Sequence, residues 1–139
     1  MARPRFPVSD ADARMRRYLG EVASVDAALS QHLTPLLDEA TTVIVTGDHG
    51  EALGDHGEQT HGLFAYEATL KVPLILVAPG VKPHIEPEFV RHIDIAPTIL
   101  QRAGMNSPSD LPGQSLLGKV KPQDAYFESL SASLNRGWA

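Results

Sequence analysis

Cysteine is absent from the 139 residues. Disulfide bonding, thiolate nucleophiles and cysteine metal ligation are therefore excluded within the chain, and its redox compartment stays open. No apolar run approaches the roughly 20 residues that span a bilayer. The opening residues, with Arg3 and Arg5 set among prolines, have no apolar segment behind their charges and do not read as a secretion signal. Localisation is thus unknown from sequence. A concentrated basic footprint is also missing: net charge is -5, and only Arg14, Arg16 and Arg17 cluster. That argues against nucleic acid as a partner and reads as the solvated start of a helix. No serine stands in a nucleophile elbow, and no glycine-rich loop ends in Gly-Lys-Ser/Thr, which removes the common α/β-hydrolase and P-loop readings. Internal repeats and low-complexity tracts are absent too.

What is present is a chain of single-domain length with an ordinary 42% hydrophobic content. Residues 1–11 read as an irregular lead-in, residues 12–128 as the structured region and 129–139 as a tail. From about Asp12 to Glu39, Met15, Tyr18, Val22, Val25, Leu29, Leu33 and Leu36 recur at three and four residues, predicting one long helix with an irregularity near Thr34 and Pro35. Thr42–Thr46 and Pro73–Ala78 read as short apolar strands. Their continuous hydrophobicity favours coverage on both faces, as in a parallel sheet. A helix is expected from Ile95 or Ala96 to Ala103, with Asp94 capping its first turn, Pro97 near its start and Gly104 at its end. Ala125–Glu128 is a candidate third strand. The fold class is α/β: a partial mixed or parallel sheet flanked by helices.

The chemistry concentrates where the first strand ends. Gly47 lets the backbone turn, and Asp48 and His49 then offer a carboxylate oxygen and a ring nitrogen to one divalent ion. Two protein groups rarely hold a metal alone, so further ligands are required. The glycine-rich stretch that follows, with Gly50, Gly54, Gly57 and Gly62, has the composition of an active loop. His61 can fold back over the metal, pair with an anionic oxygen or protonate a leaving group. Asp55, His56 and Glu58 read as loop stabilisers before ligands, and Lys71 as a solvated flank. Arg91, His92 and Asp94 suit capping and inter-element pairing better than a catalytic triad, while Tyr126 and Glu128 read as structural.

The string Val43–Glu58, continued by Thr60–Glu67 and Leu70–Leu76, resembles the later part of the sulfatase catalytic domain, within the alkaline-phosphatase-like superfamily. Ile93–Leu100, Leu111–Leu116 and Tyr18–Asp26 resemble further segments of that domain in the same order, and the closing residues resemble bacterial sulfatase-like proteins. The resemblance implies an alkaline-phosphatase-like fold and a metal-dependent sulfuric ester hydrolase. It favours Ca as the cofactor, with Mn or Zn compatible with the histidine. Asp48 matches the metal-binding aspartate, and His49 the adjacent ligand that is Asn in many sulfatases. His61 stands where many carry a lysine that touches sulfate and where related phosphoethanolamine transferases carry histidine. A Cys- or Ser-x-Pro-x-Arg segment, source of the formylglycine nucleophile, has no match here; nor do the acidic ligands of the family's first strand. Formylglycine is thus expected only in a portion outside this chain, and the isolated chain is not expected to turn over sulfate esters. The implied partners are a sulfate ester or related anionic substrate, and either a second copy or an N-terminal half that covers the exposed sheet. The remaining readings are a phosphoryl transferase or phosphodiesterase of the same superfamily, and a non-catalytic metal- or anion-binding domain.

Overall fold

A computed structural model describes residues 13–38 and 40–128. The lead-in, the tail and the outermost residues of the expected long helix, Asp12 and Glu39, lie outside the described residues. Helix α1 spans Ala13–Leu33 and passes into a 3₁₀ turn at Thr34–Leu36. Pro35 explains the change, because it has no N–H for the α-helical ladder. The turn out of α1 is closed by Asp38, whose Oδ1 accepts from the backbone N–H of Ala40 (2.9 Å) and Thr41 (2.6 Å) and from the Thr41 hydroxyl (2.6 Å).

Strands β1 (Val43–Thr46) and β2 (Leu74–Val77) form a two-stranded sheet. The pairing is antiparallel, with Val43 opposite Val77 and Thr46 opposite Leu74. The parallel or mixed sheet expected from the sequence is therefore corrected. Unbroken apolar runs report that two faces want covering and say nothing of strand direction. Here even the coverage is one-sided: Leu74 and Leu76 are half-buried, while Ile75 and Val77 are 54% and 49% exposed. Ala125–Glu128 carries no ladder and is not a strand.

A one-turn helix, α2 (Glu67–Leu70), precedes β2, and α3 (Ile95–Arg102) follows a 3₁₀ turn at His92–Asp94. Helix α3 ends as the sequence indicates. Gly104 has φ 70°, and its N–H and that of Met105 return to the carbonyls of Gln101 (3.0 Å) and Leu100 (2.9 Å). Its start differs. The Asp94 carboxylate does not cap α3; it turns back to the Arg91 N–H (2.8 Å) and across to the Gln114 N–H (2.9 Å). Arg91 meets both carboxylate oxygens through Nε and Nη2, so Asp94, with 0% exposure, has every lone-pair direction engaged. Beside it Thr98 Oγ1 donates to the Asp94 carbonyl (2.6 Å) and accepts from the Leu116 N–H (2.9 Å). This buried polar knot fastens the 111–124 loop to α3.

Helix α3 is strapped along β1 at both ends. Arg102 Nε donates to Thr42 Oγ1 (2.9 Å) at the start of the strand, and His92 Nε2 donates to the Gly47 carbonyl (2.9 Å) beyond its end. The end of β1, where the candidate ligands lie, is thereby held from below.

Candidate functional site

Asp48 and His49 occupy the turn after β1, next to Gly47, whose carbonyl is tied to His92. The backbone N–H of His49 donates to Asp48 Oδ1 at 3.0 Å. That bond, with the neighbouring His49 imidazole a second cause, holds the Asp48 carboxyl below the usual aspartate range. The carboxylate is 91% exposed, and its anionic form faces outward. His49 Nδ1–H donates to the Gly50 carbonyl at 2.9 Å, which assigns the ring's second nitrogen, Nε2, as the free donor atom. Nε2 lies 3.8 Å from Asp48 Oδ2. Two donors on one divalent ion stand at most about 5 Å apart at ordinary ligand distances, so both atoms fit a shared cation. Among the described residues no group of three or more acidic or histidine side chains is placed to hold a metal ion.

The loop after Gly50 folds back through its own backbone. Ala52 N–H donates to the Thr60 carbonyl and Gly54 N–H to the Glu58 carbonyl, each at 2.8 Å. This narrow pairing returns the chain so that His61 comes to rest over His49, with ring centroids 4.0 Å apart and planes tilted 33°. The loop stores local strain at its tip, where Leu53 (φ 55°) and His56 (φ 52°) adopt left-handed backbone without being glycine. His56 stacks on Tyr66 at 4.1 Å, and buried Glu58 accepts from the Leu63 N–H at 2.8 Å. His56 and Glu58 thus shape the loop through their side chains, while Asp55 takes part through its backbone, donating to the Ala52 carbonyl (2.9 Å) and accepting from the Glu58 N–H (3.0 Å).

Asp48, His49 and His61, separated by up to thirteen positions, are brought together. Arg91 and Asp94 are not; they form the knot behind α3. Lys71 pairs with Glu67 at 3.1 Å, four residues earlier, and stays at the surface. One residue had gone without a role in the sequence. Glu51, inside the motif, places Oε2 3.2 Å from His61 Nδ1; its only sequence signal is an acidic residue right after the Asp-His-Gly turn. His92, read as a capping or inter-element pairing residue, supports Gly47 from forty-five positions away, a partner that no local signal names.

A two-stranded antiparallel sheet flanked by helices, with an acid-histidine turn beyond a strand and a second histidine folded over it, is consistent with the alkaline-phosphatase-like superfamily fold. The sulfatase family model matches residues 2–105. The chain belongs to the sulfatase family. It is 39% identical over 105 residues to arylsulfatase K of Mus musculus, covering 72% of this chain and 19% of that protein. To the uncharacterized sulfatase YidJ of Escherichia coli (strain K12) it is 36% identical over 96 residues, covering 69% of this chain and 19% of that one. The phosphonate monoester hydrolase SpPMH from Silicibacter pomeroyi superposes with a TM-score of 0.63 at 36% identity, over 73% of this chain and 21% of the hydrolase. The chain therefore spans about a fifth of the length of the relatives it matches.

Proposed function

We propose that this chain supplies one wall of a metal-dependent sulfuric ester hydrolase centre and corresponds to the C-terminal portion of the catalytic domain. The observation that carries the reading is the convergence of Asp48, His49 and His61 at the end of β1. Asp48 Oδ2 and His49 Nε2 hold the cation, Ca by family resemblance, with Mn and Zn accommodated by the imidazole. When bound, the cation neutralises charge on the ester oxygens. His61 binds the sulfate or hands a proton to the departing alcohol, a task suited to imidazole. The nucleophile segment bearing formylglycine belongs to a portion outside this chain, so the chain alone does not turn over.

Two measurements test this. Mn²⁺ binding to the purified chain, followed by calorimetry, is expected to weaken about tenfold in Asp48→Ala, a change of ~1.4 kcal/mol; unchanged binding removes the metal assignment. Incubation with an aryl sulfate and added Ca or Mn is expected to give no hydrolysis. Robust turnover lost in Asp48→Ala would overturn the view that chemistry needs a further portion.

Phosphoryl chemistry is the second reading, favoured by the likeness to the phosphonate monoester hydrolase. A complete protein carrying these residues discriminates directly. Preference for an aryl sulfate over an aryl phosphonate supports the first reading, and the reverse preference supports the second.

A further inference from the structure

We infer that Glu51 is the positioning residue of this centre: it fixes His61 so that Nε2, and not Nδ1, is the nitrogen that meets the anion. The inference rests on His61 being the anion contact proposed above and adds what sets its orientation. Glu51 Oε2 lies 3.2 Å from His61 Nδ1, and the carboxylate side chain is only 24% exposed against 44% for the imidazole. Its other oxygen, Oε1, is buried without a hydrogen-bond partner among the described residues. A carboxylate half-stripped of water is costly unless it serves a contact, and His61 is the cation-capable group within reach.

The backbone on both sides of Glu51 is pinned. Gly50 N–H donates to the Thr69 carbonyl and Ala52 N–H to the Thr60 carbonyl, each at 2.8 Å. The carboxylate therefore projects from a fixed frame, and the same Ala52–Thr60 bond brings the residue before His61 to it. Glu51 is the more enclosed of the two side chains, and His61, with glycine after it, is the group held. With Nδ1–H donated to Glu51, the remaining nitrogen points to the opposite side of the ring. An imidazolium satisfies both neighbours at once, Nδ1–H to the carboxylate and Nε2–H to a sulfate oxygen. The His49 ring, 4.0 Å away, limits tilting of the His61 plane.

Long-range ¹H–¹⁵N spectra of the full labelled chain resolve the two ring nitrogens. In alkaline solution at about pH 8.5, where free imidazoles are neutral, His61 is expected to carry its proton on Nδ1. Glu51→Gln retains an acceptor and keeps that tautomer, while Glu51→Ala moves the proton to Nε2. Inorganic sulfate added at about pH 6 is expected to shift Nε2 selectively, with affinity about fivefold weaker in Glu51→Ala and closer to the parent in Glu51→Gln. A parent His61 protonated on Nε2 in alkali, or a tautomer unchanged in Glu51→Ala, overturns the role of Glu51. The expected tautomers with no response of either nitrogen to sulfate overturn instead the anion contact on which the inference rests.

Discussion

Asp94 shows how much one carboxylate can organise when all its directions are filled. It is fully buried, paired with Arg91 at 3.1 Å, and bonded to the backbone of residues on both sides. Removing it strands a nearly buried guanidinium, so Asp94→Ala is expected to cost about 3–5 kcal/mol, read from the urea unfolding midpoint. Asp38 is a contrasting, exposed case. The Thr41 hydroxyl, then the N–H groups of Ala40 and Thr41, hold its carboxyl below the ordinary aspartate range. A depressed carboxyl contributes stability above its unfolded pKa and loses it as pH falls through the lower folded value. A carboxylate NMR titration is expected to find Asp38 ionising at lower pH than an unstructured aspartate; an ordinary midpoint would contradict the turn. The sequence offers Asp94 as the cap of α3, which its carboxylate is not, and assigns nothing to Asp38. The twenty-residue reach from Asp94 to Gln114 was not legible, since nothing local in either segment encodes the other.

At the scale of elements, two close approaches hold the site. His92 and Arg102 fasten α3 along β1, and His92→Ala is expected to cost about 1 kcal/mol and to speed amide exchange at Gly47–Gly50. Exchange confined to its parental rate would show that the strap does not steady the turn. Gly50 packs so closely on α2 that an added Cβ would run into the Ala68 carbonyl oxygen. Gly50→Ala is therefore expected to destabilise by about 1–3 kcal/mol and to release Thr69, measured by thermal unfolding and by loss of His49–His61 contacts in NMR. The strands were legible as short apolar runs, and their limits moved by about one residue. Their antiparallel pairing was not legible, because direction is settled by what the connecting loop allows and hydrophobicity is blind to it. The single turn α2 also escaped, being too short for a periodic pattern.

For the whole molecule the interior is thin. Among the described residues the buried apolar side chains are small ones, Ala52, Ala78, Pro97 and Val120, beside buried Glu58, Thr69, Asp94 and Thr98. Met15, Tyr18, Val22 and Val25 of α1 and Ile75 and Val77 of β2 remain substantially exposed. No helix among the described residues is long and apolar enough to cross a membrane. On the reading proposed above, this exposed apolar face is expected to be covered by the remainder of the catalytic domain or by a second copy. Light scattering of the purified chain is expected to show concentration-dependent association; a compact monomer at high concentration would contradict it. The sequence by itself determined the family, helices α1 and α3, the two strand segments and the types of group at the strand end, because these are written in local spacing and contiguous motifs. Only the tertiary structure decided the sheet's direction, which face stays bare, and the partners of Glu51, His61, His92 and Asp94. Those depend on backbone closure between distant segments, where the loop's own hydrogen bonds bring His61 back to the Asp48 turn.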